Sequence, residues 1–172
     1  MYRTLLVPVD GSTAATAGLD EAIRIAAHVG ARLHLMNIVD DAAFDGSSDS
    51  VSEAATSGSV RGVVRERGEK VLRRARERAE AKGVIASTAL VASGAERLLA
   101  LVARQAEESG ADLIVLGMHR RRSLSRVFTN SESKHLLNEV DIPVLLVRTE
   151  NEEPELSVVE ITASDSMFHP MP

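Results

Sequence analysis

The chain has 172 residues, of which 44% are hydrophobic and only 2% aromatic; that suits one domain with an aliphatic core of Val, Leu, Ile and Ala, and argues against an aromatic stacking surface for single-stranded nucleic acid. No run approaches the about 18 apolar residues that a membrane span needs, and the absence of cysteine excludes disulfides, Cys-ligated zinc and thiol catalysis. The formal charge of −5 is unevenly placed: residues 149–172 hold six acids and no Lys or Arg, a charge of −6 that leaves +1 for residues 1–148, so nothing in the folded part calls for DNA or an acidic membrane as partner.

Leu5-Leu6-Val7-Pro8-Val9 is a short apolar run, read as a buried first strand rather than as the apolar region of a signal peptide. Asp10-Gly11-Ser12 closes it with a turn signal and a helix N-cap. Leu19, Ala22, Ile23 and Ala26 recur at helical spacing, a buried stripe that ends near Gly30. Arg32 to Val39 alternates with period two and predicts the second strand. Residues 40–59 are Ser, Asp, Ala and Gly with five acids and no base, a segment read as a flexible loop. Val64, Val71, Leu72, Ala75 and Ala79 mark a long helix to about Lys82. Its other face is charged, with Glu66–Lys70 and Glu69–Arg73 in the favourable i, i+4 order, and reads as solvated rather than as a nucleic-acid patch.

Val84 to Val91 predicts a third strand, and Ser93-Gly94-Ala95-Glu96 turns into a helix striped by Leu98, Leu101, Val102 and Ala106. A fourth strand follows at Asp112 to Leu116. Leu136, Leu137 and Val140 stripe a last helix, and Ile142 to Val147 predicts the fifth strand, with Pro143 at its start because proline lacks an N–H. Five alternations of strand and helix predict an α/β fold: a five-stranded parallel sheet with helices on both faces, Rossmann-like, joined by right-handed crossovers. In such sheets ligands bind beyond the carboxyl ends of the strands, where the winding reverses. Asp10, Val39 and Gly117 all stand at predicted carboxyl ends. Gly117 also leads into an arginine-rich loop that runs to a helix start at Asn130-Ser131, the layout of a phosphate seat.

Taken in order and spacing, several segments together resemble the universal stress protein family over about residues 2–148. They are Leu6-Val7-Pro8-Val9-Asp10-Gly11-Ser12, Ile38-Val39, Ala111 to Gly117, Arg121-Arg122-Ser123-Leu124-Ser125-Arg126 and Pro143-Val144-Leu145-Leu146-Val147-Arg148. The resemblance implies a fold like that of the adenine nucleotide alpha hydrolases. It also implies an adenine nucleotide (ATP or AMP, with magnesium only beside ATP), a homodimer through the last strand at Val144 to Val147, and a cytoplasmic stress-response role. Many members bind ATP through G-x-x-G, nine residues, then G-[ST]. Carried over by position, Asp10, with Val9 beside it, would face the ribose and adenine. Val39 would meet adenine through its backbone, Gly117 would be the first motif glycine, and Ser131 would give a hydroxyl to a phosphate; His119 is a candidate contact only by its place beside Gly117, and reads first as a plain polar loop residue.

The motif is degenerate in this chain. Arg120 stands at the second glycine and Asn130 at the third, with the nine-residue spacing intact. Asn tolerates positive φ and caps helices well. Arg places a Cβ and a long side chain where the family has bare backbone, at about 1–2 kcal/mol if the site needs positive φ, although a guanidinium is itself a phosphate ligand. Glu132 and the capping box Thr129-Asn130-Ser131-Glu132 let that helix start satisfy itself. The expectation is therefore a binding protein with weakened or lost ATP binding and no dedicated catalysis. The alternative is a slow nucleotide hydrolase or transferase using Asp10 as metal ligand or base. The five histidines show no metal spacing, and no G-x-S-x-G elbow, dinucleotide fingerprint or P-loop is present. A response-regulator receiver would need Asp and Lys where Ser93 and Arg148 stand. The acidic tail, residues 149–172, reads as a linker followed by a strand-like stretch at Leu156 to Ile161, with its charge opposite to that of the arginine loop.

Overall fold

In the computed structural model, which describes residues 1–39, 60–93, 97–119 and 140–149, strands and helices alternate as the apolar periodicity requires. The elements are β1 (Thr4–Pro8), α1 (Thr13–Val29), β2 (Arg32–Val39), α2 (Val60–Glu80), β3 (Ala86–Ala92), α3 (Leu98–Ser109), β4 (Leu113–His119) and β5 (Val144–Thr149). The predicted loop over residues 40–59, the predicted last helix at Leu136 and Leu137, and the acidic residues from Glu150 onward lie outside the described residues. Val140 and Ile142 are described, and they pack against the α3 side of the sheet.

All strand pairs are parallel, in the order β3-β2-β1-β4-β5. From β1 the chain steps outward to β2 and β3, with α1 and α2 covering one face. It then crosses to the other side of β1 to lay down β4, with α3 on the opposite face. The winding reverses between β1 and β4. Strand alternation sorts the core into two layers. Leu5, Val7, Leu33, Leu35, Leu113 and Val115 meet Leu19, Ala22, Ile23 and Ala26 of α1 and Leu72, Ala75 and Ala79 of α2. Leu6, Met36, Ile114 and Leu116 meet Leu99, Val102 and Ala106 of α3. β1, buried along its whole length, serves both layers, which is why its sequence is a continuous apolar run rather than an alternation.

Local chemistry sets the helix ends. The Ser12 hydroxyl accepts from the Ala15 N–H at 3.1 Å, and its carbonyl accepts from the Thr16 N–H at 2.9 Å. Gly30 ends α1 at φ +71°, and Gly110 ends α3 at φ +60°, the left-handed geometry that glycine takes at least cost. On α2 the ion pairs form in a different phase from the one expected. Arg65 reaches Glu69 at 3.1 Å and Arg76 reaches Glu80 at 2.7 Å. Glu69 is thus held from the turn before it, and Arg73 has no ion pair among the described residues. Arg78 clasps Asp20 of α1 through two bonds of 2.5 and 2.7 Å, and those bonds hold its guanidinium still more firmly protonated. On the α3 side, His34 joins three elements, with Nδ1 2.8 Å from Ser87 Oγ and Nε2 3.1 Å from Gln105 Oε1.

The packing of α1 on the sheet depends on two missing side chains. A Cβ built on Gly18 would stand 2.7 Å from the Gly117 nitrogen, and a Cβ on Gly117 would stand 1.8 Å from the Ala14 carbonyl oxygen. Helix backbone therefore lies directly on strand backbone. Gly117→Ala cannot be relieved by a rotamer change, so it should cost at least the upper part of the about 1–3 kcal/mol typical of overpacking. Gly30→Ala adds a Cβ where nothing lies within 4 Å and should cost only the left-handed strain of about 1–2 kcal/mol. Urea midpoints of the two variants, measured without ligand, check this; a loss for Gly117→Ala no larger than that for Gly30→Ala would refute the packing explanation.

Candidate functional site

The reversal between β1 and β4 coincides with a backbone donor that the sequence withholds. Arg32 N–H bonds Arg3 C=O and Val9 N–H bonds Met36 C=O, while Asp112 N–H bonds Thr4 C=O. Odd residues of β1 thus turn their backbone groups to β2, and even residues turn theirs to β4. Pro8 is even, and it has no N–H. The β1–β2 ladder runs through Pro8↔Met36, whereas the β1–β4 ladder ends at Leu6↔Ile114. β4 remains paired with β5 as far as His119↔Thr149. The central ladder is therefore open at the carboxyl end of the sheet, at the reversal of the winding. Proline is otherwise a residue of sheet edges; in a central strand it marks a place where pairing is meant to stop.

The β1 end is held from the β2 side. Val9, predicted as a site residue, has a buried side chain in the α1–α2 core layer, and both of its backbone groups are engaged: its N–H bonds Met36 C=O at 2.8 Å, and its C=O accepts from Asn37 Nδ2 at 2.6 Å. Asn37 is itself buried, and a Cβ on Gly68 of α2 would fall 2.6 Å from its Oδ1. Sequence reasoning passed over Asn37, although a signal was there: it is the one polar residue in the core-facing phase of Leu33, Leu35, Asn37 and Val39. Held this way, Val9 leads into Gly11 at φ +83°, and Asp10 forms an Asx turn in which its Oδ1 accepts from the Ser12 N–H at 2.9 Å. Asp10 is half-buried, and its Oδ2 has no partner among the described residues. Half of this carboxylate builds the turn, and half faces outward as an acceptor.

Val39 closes β2 at the same end of the sheet. Its C=O accepts from the Ser93 N–H at 2.8 Å, so that carbonyl serves the β3 turn. Gly117 lies inside β4, paired with Val147, two residues before the strand's end rather than after it as its sequence context suggests. Extended by three positions, the register Leu6↔Ile114 sets Val9 level with Gly117. Gly117 is not among the positive-φ glycines; the need for glycine here comes from α1 lying on it. His119 ends β4 opposite Thr149. The fold thus brings the backbones of Val9, Asp10, Val39, Gly117 and His119 to one end of the sheet. Arg120, Asn130 and Ser131, the predicted phosphate loop, lie outside the described residues. Among the described residues there is no group of three His, Asp or Glu fit to hold a metal ion, and no helix long and apolar enough to cross a membrane.

Beside this end of the sheet, a cleft of about 240 Å³ runs between α1 and α2. Its floor includes Val9, Gly11 and Leu19, and Arg74 and Arg78 stand at its rim.

The fold has counterparts in known proteins. The model of the universal stress protein family matches residues 1–148. A universal stress protein of Bacillus subtilis is 32% identical over 86% of this chain and 100% of its own length. The crystal structure of a universal stress protein family member from Burkholderia pseudomallei is 31% identical, covers 85% of this chain and 96% of its own, and superposes with a TM-score of 0.64. A family protein from Arabidopsis thaliana, solved with AMP bound, covers 87% of this chain and 93% of its own at 14% identity and a TM-score of 0.60, a likeness of fold. By its sheet order, its match over residues 1–148 and these identities, the chain belongs to the universal stress protein family.

Proposed function

We propose that this protein is a stress-response binding protein that takes an adenine nucleotide, AMP or ATP, at the β1–β4 switch point, with affinity lowered by Arg120. The observation that carries this is the open central ladder at Pro8, with Asp10 Oδ2 beside it unpartnered among the described residues. A parted pair of strands at the carboxyl end of a doubly wound sheet is where the loops can admit a ligand, and a free carboxylate oxygen there is a fit acceptor for ribose hydroxyls. The AMP held by the Arabidopsis relative of the same fold supports the ligand class. Residues 1–148 would form the binding domain and residues 149–172 an acidic extension. Magnesium would enter only with ATP.

The protein would act as a homodimer in the cytoplasm. β5 supports the dimer: it is an edge strand, and Val144, Leu145, Leu146 and Val147 are all only half-buried in a single copy. An apolar edge of this kind is a template for pairing with a second chain. Dedicated catalysis is not part of the proposal, because Asp10 spends one oxygen on its own turn.

Mass spectrometry of small molecules released from purified protein tests the role of Arg120. Arg120→Gly should restore bare backbone and tighten nucleotide binding about tenfold, which corresponds to about 1.4 kcal/mol. Adenine nucleotide should co-purify with the variant in clear excess over the parent. Equal content in the two proteins would remove Arg120 from the account.

Asp10→Ala separates binding from chemistry. Loss of a charge-assisted hydrogen bond should weaken nucleotide binding by about 1.5–3 kcal/mol, read by titration calorimetry on the Arg120→Gly background. Any residual hydrolysis measured at saturating nucleotide should stay within a few-fold. If turnover in the Asp10-containing protein reached about 1 s⁻¹, the low end of ordinary enzymes, and vanished with Asp10→Ala, the protein would be a hydrolase or transferase instead.

A further inference from the structure

The outer edge of β3 is an open ladder. Leu33 N–H bonds Ile85 C=O at 2.9 Å, and Ser93 N–H bonds Val39 C=O at 2.8 Å. The odd positions of β3 therefore face β2, and Ala86, Thr88, Leu90 and Ala92 turn their backbone groups outward, where no described strand pairs with them. Natural edges are usually guarded by a charge, a proline or a bulge within the strand. Ala86-Ser87-Thr88-Ala89-Leu90-Val91-Ala92 has no charge and no proline, and it pairs with β2 in unbroken register. Ile85, just before it, is 77% exposed. Above this edge α2 leaves a cleft of about 350 Å³ lined by Glu69, Leu72, Arg73, Arg76, Thr88 and Leu90. Glu69 is taken by Arg65, so Arg73 has no ion pair among the described residues, where Arg76 bonds Glu80 through its Nε. Open backbone groups therefore lie beside two guanidiniums.

We propose that this edge is a docking site for an extended acidic strand, and that its occupant is the chain's own segment of residues 150–161. Charge selects it: Glu160 lies within the pairing stretch, residues 156–161, which holds no base, and Glu150, Glu152, Glu153 and Glu155 lead into it. Composition selects it too, because Leu156, Val158, Val159 and Ile161 suit a pleated strand. Reach permits it. β5 ends at Thr149 at the carboxyl end of the sheet. The position beyond β3 is five strand spacings from β5, about 24 Å, which the roughly seven Cα steps from Thr149 to Leu156 span when fully extended. Residues 150–155 would make that crossing, and residues 156–161 would descend antiparallel along β3. Backbone bonds would supply affinity and the arginines the preference for acid, the usual division in strand addition. The proposal does not require nucleotide binding, but the crossing passes the carboxyl ends of β4 and β1, so its test is made without nucleotide.

The test is amide hydrogen exchange of Thr88 and Leu90, followed by NMR in the full chain at two protein concentrations, with the core amides of Leu6 and Ile114 as a control for folding. In the parent, Thr88 and Leu90 should exchange at least about tenfold more slowly than in the full-length double variant Val158→Pro/Val159→Pro, which lacks the donors for pairing. Arg73→Glu should also speed their exchange, as should added salt, while Leu6 and Ile114 stay protected throughout. Protection that is independent of protein concentration supports the proposal. Equally fast exchange in parent and proline variant would overturn it, and protection lost on dilution would assign the edge to a second copy of the chain.

Discussion

One absent hydrogen bond organises the carboxyl end of this sheet. Proline in the middle of a five-stranded sheet withholds a donor, and here that donor faces β4, the strand across the winding reversal. A gap in a central ladder persists only where the surroundings over-determine the strand, and they do. Leu5, Leu6 and Val7 are fully buried, β2 pairs with β1 along its whole length, and Asn37 holds the Val9 carbonyl from the β2 side. β1 is thus fixed on one side and released on the other. The turn that follows, with Asp10 and Gly11, takes its position from the fixed side, and the space beside it comes from the released one.

On the far side of that space, β4 is placed by steric contact. α1 lies on Gly117 through Ala14 and Gly18, and the β5 ladder runs unbroken past this point. The glycine that a motif comparison assigns to a phosphate loop has a prior duty in packing. This matters for the degenerate motif. Gly117 is retained in this chain whether or not nucleotide is bound, because α1 demands it. Its presence is therefore weak support for ligand binding.

Much of this architecture was legible in the chain. Period two in Arg32–Val39, helical stripes at Leu19 to Ala26 and Leu98 to Ala106, and the caps Ser12 and Gly30 each express a local rule, and each appears where expected. The differences have physical causes. β4 and β5 extend to His119 and Thr149 because ladder bonds ignore side-chain polarity, and the predicted strands stopped where the apolar run stopped. The Glu69 pair shifted phase because that residue has an arginine on each side, Arg65 four before it and Arg73 four after it, and the rotamer chooses Arg65. Pro8 was visible, but its meaning depends on which strand stands opposite, and strand order is a tertiary fact. Asn37 was visible as a polar residue in a buried phase, and that conflict between local pattern and position is what a functional end of a fold should show.

A five-stranded parallel sheet has two edges, and this chain treats them differently. β5 offers four consecutive aliphatic residues. If two copies join there about a two-fold axis, the contact closes on itself and uses both apolar edges at once. What remains is a β3 edge at each end of a longer sheet, and an unguarded edge at each end invites open-ended growth. β3 carries no guard of its own, but the helix above it does: Arg73 and Arg76 beside Thr88 and Leu90 would bring like charges together if two such edges met. The same cations welcome an acidic strand. Repulsion of a second copy and attraction of residues 150–161 are then two consequences of one charge placement, so the β3 edge can stay free of charge within the strand and still be guarded.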